Sequence, residues 1–532
     1  MISAQAASPG GTRTQRAGAL GALATPWALL VSLAGGAALY ASFPPVGAWP
    51  LAVLGPALLA VALTGRSLRA SLACGLVFGL ALFVPLLSWL VNVAWYAWAA
   101  LAVAESVVFA VLAVGQRLLL RLRAWPAAVA GWWVAAEAVR DRWPFPFPWG
   151  RLAMSQAGAP DAHWIAVGGA PLLTFLVALA GAMIARAAVA APRRPAGAAL
   201  GWLRPVLAAA VTAGFVLAGG ALPVDPVAGA PTAEVAAIQG NVPRARNLPQ
   251  QLNDTEVTQD HVAATDRLAA QVDSGRRPPP DLVIWPENST DLDPYEYPAS
   301  YAEVAGAVAA VGRPVLVGEV LDNPRRNVGQ LWLPGPARPG PIYVKRQLVP
   351  FGEYIPFRGI ISHITSLTAL QPVNFTPGHA AVVFRVGKIR LGDVICYEVA
   401  FDSLVRSEVT AGANLLSVQS NDADFEIDGQ LAESQQQIAM ARMRAVESDR
   451  AVVYASTTGE SAIIAPDGRV ITSSGAWRQA ILQARVPLVG YRTLADRVGA
   501  WPEYVIVLLT VLALARAVQA AWQARRDRAA GR

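Results

Sequence analysis

Cysteine and lysine are nearly missing from this chain of 532 residues: each occurs twice, cysteine at 74 and 396 and lysine at 345 and 388, against 41 arginines. Two cysteines so far apart, one of them inside an apolar run, argue against a disulfide framework. Histidine is scarce as well, and His163, His261, His363 and His379 fit no metal-ligand spacing. Charge is thin, 15% against 54% hydrophobic residues, which is too apolar for one ordinary soluble protein. There is no internal repeat and no extended low-complexity tract.

What the chain does have is apolar sequence, concentrated at its two ends. Crossing a bilayer takes about 20 apolar residues, and lipid tolerates only helices or closed barrels because it offers an open backbone no partner. Eight candidate helices lie at Ala19 to Ala41, Pro50 to Leu63, Leu72 to Val91, Ala97 to Gly115, Pro126 to Val139, Trp164 to Ala185, Pro205 to Leu222 and Tyr504 to Val518. The second and fifth are short enough to be re-entrant or interfacial segments instead. A signal peptide is the alternative for the first, although further spans follow at once. Glu105, a mid-helix acid, is either functional or a neutral carboxyl bonded to a neighbouring helix, while Glu137 and Arg140, three apart, read as a local ion pair.

Arginines accumulate on the cytoplasmic side of membrane helices. Arg13, Arg16, Arg66, Arg69, Arg117, Arg121, Arg123, Arg186, Arg193, Arg194, Arg204, Arg516, Arg525, Arg526 and Arg528 all fall on one side of an eight-helix path. About seven crossings in residues 1–222 then put 223–499 outside the cytoplasm, and the last helix returns a basic tail, within 500–532, inside. Arg140, Arg142 and Arg151 fall on the outer side, against the rule. Charge divides the same way, net −6 over 223–499 and +13 over the remainder, so the overall +7 reports membrane topology and argues against a nucleic-acid partner.

The segment 223–499 reads as a single α/β domain, long enough for a full core. Nine β-rich runs (Glu234 to Ile238, Leu282 to Trp285, Pro314 to Val320, Ile342 to Val344, Val382 to Val386, Ile389 to Cys396, Leu415 to Gln419, Ala451 to Ser456, Ser461 to Ala465) alternate with helical stretches. Three helices are expected, Asp254 to Val272, Tyr301 to Val311 and Leu431 to Arg450.

Two runs end in chemically useful residues, just past the carboxyl ends of strands, where open α/β sheets place their sites. Leu282 to Trp285 releases Glu287 after a proline, and Ile389 to Ile395 releases Cys396. A thiol is nucleophilic only as thiolate, so Cys396 needs a base or a cation beside it, and Glu287 and Lys345 are of the right types. A fixed ammonium also stabilises the oxyanion of acyl transfer. Taken singly each residue has a plainer reading, a buried small hydrophobe, a turn acid and a solvated lysine. Lys388, in a turn, and Cys74, in an apolar helix, fit those plainer readings.

The ordered set Trp285-Pro286-Glu287, Lys345 with Leu348-Val349-Pro350-Phe351-Gly352-Glu353, and Ile395-Cys396-Tyr397-Glu398 resembles the nitrilase (carbon-nitrogen hydrolase) superfamily. With seven helices before the domain and one after it, the chain resembles the apolipoprotein N-acyltransferase family within that superfamily. Gln239-Gly240-Asn241-Val242-Pro243, Phe375-Thr376-Pro377-Gly378, Ser420-Asn421-Asp422-Ala423, Met440 to Ala445, Phe147-Pro148-Trp149 and Ser155-Gln156 also match. The resemblance implies a polytopic α-helical membrane domain plus an extracytoplasmic nitrilase-like α-β-β-α sandwich. It implies Cys396 as nucleophile, Glu287 as base and Lys345 at the oxyanion, with Glu353 and Glu398 orienting Lys345 and the pocket, and Tyr397 and Asn421 shaping the region around them. It further implies a phospholipid acyl donor, a diacylglyceryl-modified apolipoprotein acceptor, an acyl-Cys thioester, no metal or dissociable cofactor, and a monomer in a bacterial inner membrane. Two departures, Leu248 where relatives carry Trp and Asp424-Phe425-Glu426 where they carry Trp-Phe-Gly, bear on acyl-chain and acceptor preference. Loops at Ile360 to Gln371 and Asp422 to Gly429 are expected to gate the site. Two rival classes stand beside this reading: a membrane-tethered amidase that uses water, which leaves the helical platform unexplained, and a transporter or scaffold, which leaves the three motifs unexplained.

Overall fold

The computed structural model describes residues 25–143, 145–190, 203–223, 229–242, 256–364, 371–426 and 431–530. Arg13, Arg16, Arg193, Arg194, Pro243, Leu248, the side chain of Arg204, and parts of the two expected gating loops (365–370 and 427–429) lie outside the described residues.

Helices form wherever the long apolar runs lie. Before the central domain come α1 (Thr25–Ala41), α2 (Leu54–Leu63), α3 (Leu68–Leu86), α4 (Trp95–Leu119), α5 (Trp125–Arg140), α6 (Ile165–Ala190) and α7 (Leu203–Leu217); Trp501–Ala530, numbered α14, follows it. Among the described residues four segments are long and apolar enough to cross a membrane: Leu68–Leu86, Trp95–Leu119, Pro160–Val189 and Trp501–Ala530. Their outward faces carry exposed Val103, Val107, Val111, Leu508, Leu509 and Leu512, a surface suited to lipid. Small residues let the backbones touch. A Cβ on Gly75 of α3 would stand 2.3 Å from the Phe109 carbonyl of α4.

The three arginines that break the orientation rule are all neutralised. Arg140 pairs with Glu105 (2.5 Å), Arg142 with Glu503 (2.5 Å), and Arg151 with Asp402 (2.9 Å) and Asp141 (3.3 Å). Glu105 is therefore bonded to a neighbouring helix, as an ion pair. The expected pair between Glu137 and Arg140 does not form. Glu137 accepts instead from the Leu152 amide (2.7 Å) and Thr174 Oγ1 (2.8 Å) and faces Arg151 (3.6 Å). Both residues are buried, and each finds partners across helix interfaces that its helix neighbour does not replace.

Among the described residues twelve strands build the central domain, in two sheets of six. The first has the order β12-β1-β2-β3-β4-β5, made of Ala480–Pro487, Thr232–Gln239, Leu282–Ile284, Val315–Asp322, Arg325–Leu333 and Arg338–Val344. The second has the order β11-β10-β9-β8-β7-β6, made of Val470–Ser473, Ala462–Ile464, Val452–Ser456, Leu415–Ser420, Ile389–Ile395 and Val383–Val386. Each sheet has a parallel centre, β1-β2-β3 and β7-β8-β9, with antiparallel strands outside it.

Side-chain alternation explains why the sheets stack. Ala233, Val235 and Ala237 of β1 and Leu282 and Ile284 of β2 join the core shared with the second sheet. Ala236, Ile238, Val283 and Trp285 pack instead with α8 (Glu256–Asp273) and α9 (Pro298–Val311) on the outer face. The second sheet is covered by α11 (Asp402–Thr410) and α12 (Ala432–Ser448), which gives the α-β-β-α sandwich. A short helix α10 (Arg358–Ile364) precedes β6, and α13 (Leu494–Val498) leads into α14.

Twelve strands are three more than expected: β4, β11 and β12 carry no readable pattern. Most of β4 is buried on both faces, so it does not alternate, and it begins with two arginines. The polar residues of β11 and β12 lie at half-covered or exposed positions in strands at the sheet edges. Helix α11 was not expected either.

On its far side α12 packs against α6, and α13 packs against α6 as well, while Tyr397, Asp402 and Phe425 add further contacts between the sandwich and the helical part. Gln436 of α12 accepts from Trp149 Nε1 (2.6 Å) and Trp89 Nε1 (3.3 Å) and donates to the Leu86 carbonyl (3.1 Å).

Candidate active site

The two sheets deliver their chemistry to one place because the parallel strands β2, β7 and β8 all end there. Gln419, last but one in β8, donates to the Trp285 carbonyl just after β2 (2.6 Å) and so pins one sheet end to the other. The backbone amide of Asn421, just past β8, donates to Glu287 Oε2 (2.9 Å). Gly318 of β3 lets the Glu287 turn lie close, since a Cβ there would stand 2.1 Å from the Pro286 carbonyl oxygen.

Glu287 is buried and ionically engaged. Its Oε1 accepts from Lys345 Nζ (2.9 Å) and Asn327 Nδ2 (2.6 Å). Lys345, at 1% exposure just after β5, also donates to Glu353 Oε1 (3.1 Å), which Asn327 reaches as well (2.8 Å). One lysine and one asparagine therefore hold two carboxylates side by side. Burial alone would lower the Lys345 pKa, but Glu287 and Glu353 outweigh it and hold it well above the usual lysine range, so the ammonium is fixed. Burial pushes the Glu287 carboxyl up against the pull of Lys345, which makes it a stronger proton acceptor than an exposed glutamate.

Cys396 begins a short 3-10 turn, Cys396–Ala400, directly after β7. Its backbone is left-handed, with φ of +53°, a conformation costing about 1–3 kcal/mol in a residue that is not glycine. That bend takes the thiol out of the sheet line. Burial, and next the Glu287 charge, push the thiol well above its ordinary pKa, while Lys345 pulls it down. The resting group is a neutral thiol that feels both an acid and a cation. Gln437 Nε2 of α12 lies 3.5 Å from its sulfur.

The four accompanying residues divide. Glu353 meets Lys345 directly and also accepts from the Val349 amide (2.8 Å). Glu398 does not touch Lys345. It caps backbone instead, taking the amides of Arg346 (2.6 Å), Gln347 (2.9 Å) and Ile395 (2.8 Å) and the Tyr343 hydroxyl (2.7 Å). Lys345 and Cys396 are thus tied together one residue away from each. Tyr397 turns to the helical part, donating to the Pro146 carbonyl (2.5 Å) and lying near parallel to Trp149 (16°) and Phe147 (29°). The Asn421 side chain accepts from Thr457 Oγ1 (2.8 Å), so its backbone amide, not its side chain, meets Glu287.

Two residues at the site escaped the sequence reading. Asn327 sits in the unrecognised strand β4 and carries no local signal. Gln437 belongs to the run Gln435-Gln436-Gln437, an unusual density of amides ahead of Met440 to Ala445, and that run was the available clue. The other matched motifs build the frame. The Phe375 amide donates to the Glu353 carbonyl and the Gly378 amide to the Lys345 carbonyl, each at 2.9 Å, while Arg444 holds Asp402 at 2.6 Å. In the departing segment Asp424-Phe425-Glu426, the Phe425 ring packs edge-on to Trp89 at 5.2 Å and its carbonyl accepts from Asn92 (2.7 Å).

Two six-stranded sheets back to back with helices outside, and an acid, a lysine and a cysteine at their strand ends, place the central domain in the carbon-nitrogen hydrolase class. Residues 234–496 match the carbon-nitrogen hydrolase family, and residues 35–183 match the apolipoprotein N-acyltransferase N-terminal domain. The apolipoprotein N-acyltransferase of Mycolicibacterium smegmatis is 36% identical over 521 residues, 92% of this chain and 85% of that protein. That of Azotobacter vinelandii is 30% identical over 505 residues, 89% of this chain and 92% of its own length. Among solved structures, an amidase from Nesterenkonia sp. aligns over 49% of this chain and 92% of its own with a TM-score of 0.36 and 19% identity. The chain belongs to the apolipoprotein N-acyltransferase family.

Proposed function

We propose that this chain transfers a fatty acyl group from a membrane phospholipid to the N-terminal amine of a diacylglyceryl-cysteine lipoprotein, through a thioester on Cys396. The observation that carries the reading is a buried thiol at the end of β7, in the electrostatic reach of the buried Glu287–Lys345 ion pair and one residue from a side chain bonded to the helical part. In the first half-reaction Glu287 takes the Cys396 proton as sulfur attacks the ester carbonyl, and Lys345 holds the oxyanion. The C–O bond then breaks, Glu287 returns the proton to the leaving hydroxyl, and a lysophospholipid departs. In the second, the lipoprotein amine attacks the thioester, its proton passes to Glu287, the C–S bond breaks and the thiol is restored.

The same reading assigns residues 1–222 to a membrane domain of about seven spans, 223–499 to the catalytic domain outside the cytoplasm, and 500–532 to a returning helix and basic tail. The setting is a bacterial cytoplasmic membrane and the working unit a monomer. The one-sided arginines support it, as does the pairing of each exception with an acid. Detergent-solubilised protein incubated with labelled phospholipid tests the chemistry: a hydroxylamine-sensitive label forms on Cys396 and moves to a diacylated lipopeptide amine. Label passing only to water would make the protein an amidase-like hydrolase. Cys396→Ala that still acylates lipopeptide would sink the mechanism.

A further inference from the structure

A second set of buried groups reaches Cys396 from α12. Gln437 Nε2 lies 3.5 Å from the sulfur and also contacts Glu433 Oε1 one helical turn earlier, while Gln437 Oε1 accepts from Ser420 Oγ (3.3 Å). Gln437 is 1% exposed, so water does not complete its bonding.

The groups behind it set which way the amide points. Asp422 accepts from Ser420 Oγ (2.6 Å), Ser456 Oγ (2.6 Å) and Tyr454 OH (3.3 Å). Three hydroxyl donors on one carboxylate make it the ionised acid of this cluster. Burial first, and then Asp422, push Glu433 well above the usual carboxylate range, so Glu433 carries the proton and keeps Oε1 as an acceptor. Ser420 has one hydroxyl hydrogen and gives it mainly to Asp422 at the shorter distance, so the orientation rests on Glu433, an acceptor that draws the amide N–H groups toward itself and Cys396.

We propose that Gln437 is a further catalytic residue, whose amide N–H, aimed by Glu433, donates to the Cys396 sulfur whenever that sulfur bears negative charge. The inference rests on the reading of Cys396 as nucleophile. The sulfur is anionic twice in a turnover: once its proton has gone to Glu287, and again when the thioester C–S bond breaks and the electron pair returns to sulfur. Glu287, Lys345 and Asp422 act on the thiol as charges, and of these Lys345 alone favours its charged form. A neutral donor at bonding distance supplies the remaining stabilisation, and does so at both steps.

The test follows Cys396 alkylation by iodoacetamide against pH in the solubilised full chain, read by peptide mass spectrometry so that Cys74 is scored separately, alongside single-turnover acylation. Gln437→Met keeps the volume and removes the donor. Its alkylation midpoint moves up by about one pH unit, and thioester formation and aminolysis each slow about tenfold. Glu433→Leu produces the same shift and Glu433→Gln, which keeps an acceptor, recovers most of it. Gln437→Asn serves if the Met variant fails to fold, and gives the same direction because the shortened amide falls away from sulfur. Alkylation profiles of folded Gln437 variants matching wild type would overturn the inference while leaving Cys396 as nucleophile. Failure of the wild-type chain to form any Cys396 adduct would overturn the nucleophile itself.

Discussion

Asn327 Nδ2 stands 2.6 Å from Glu287 Oε1 and 2.8 Å from Glu353 Oε1, so one amide nitrogen spends both of its hydrogens on the two acids that also share Lys345. Two carboxylates this close repel each other, and Glu353 does raise the Glu287 pKa. Asn327 and Lys345 offset that repulsion by donating to both acids. Asn327→Leu therefore removes a donor from each acid at once, with Lys345 left to serve both. Single-turnover acylation of Cys396 is expected to fall about tenfold to a hundredfold, with thermal unfolding reporting a folded protein. Wild-type rates in a folded Asn327→Leu chain would show that Lys345 suffices.

The pH dependence has a definite sign. Burial raises the Glu287 carboxyl above its ordinary value, and only its ionised form accepts the thiol proton. Acylation is expected to rise with pH through that raised value, in a limb lying above the range of an exposed glutamate. Lys345, held well above the lysine range, keeps its charge beyond it. Pre-steady-state acylation across pH measures the limb, and Glu287→Gln abolishes it together with the rate.

Gly318→Ala probes the scaffold behind the base. The new Cβ would stand 2.1 Å from the Pro286 oxygen and 2.7 Å from Glu287 Cα, backbone atoms that cannot rotate aside. The variant is expected to lose about 1–3 kcal/mol of stability and most of its acylation, because the strand and the Glu287 turn must part. Thermal unfolding and acylation are measured together; an unchanged rate would mean that the Glu287 turn is free to move.

Asp402 links the two halves of the chain, bonded to Arg151 (2.9 Å) beyond α5 and to Arg444 (2.6 Å) of α12. Burial by itself would raise its pKa, but the two guanidinium groups outweigh it and hold the carboxyl well below the usual range. A depressed carboxyl stabilises the fold above its unfolded pKa, and that contribution is lost only as pH falls through the lower folded value. Asp402→Asn is expected to cost about 3–5 kcal/mol by leaving two buried cations short of an anion. The deficit should hold from neutral into mildly acidic pH, as followed by thermal unfolding.

Much of this arrangement could be read from the chain, and what could not has physical causes. The helices were visible because lipid demands long apolar runs, and β2 because a parallel strand buried on both faces is continuously apolar. Lys345 and Cys396 stood out by scarcity, and their neighbouring motifs led to Glu287. Glu353 was expected at Lys345 and lies there. Glu398 was expected to orient the same lysine, but it works on backbone amides, which no side-chain pattern announces. Asn327 was invisible because a lone amide in a strand gains its meaning only from the strand that folds beside it. The pairing of Glu137 with Arg140 failed for the opposite reason: spacing along a helix describes neighbours on an exposed surface, and both residues are buried between helices.

Cys396 and Tyr397 are consecutive, and Tyr397 is fastened to Pro146 and layered against Phe147 and Trp149. The reacting sulfur is thus one peptide unit from a segment anchored in the helical part, and there is no slack between them. Whatever shifts the 145–149 segment, a thinner bilayer or a tightly bound detergent, turns the thiol as a handle turns a key. The rate of acylation would then respond to the lipid around the protein well before its melting temperature does.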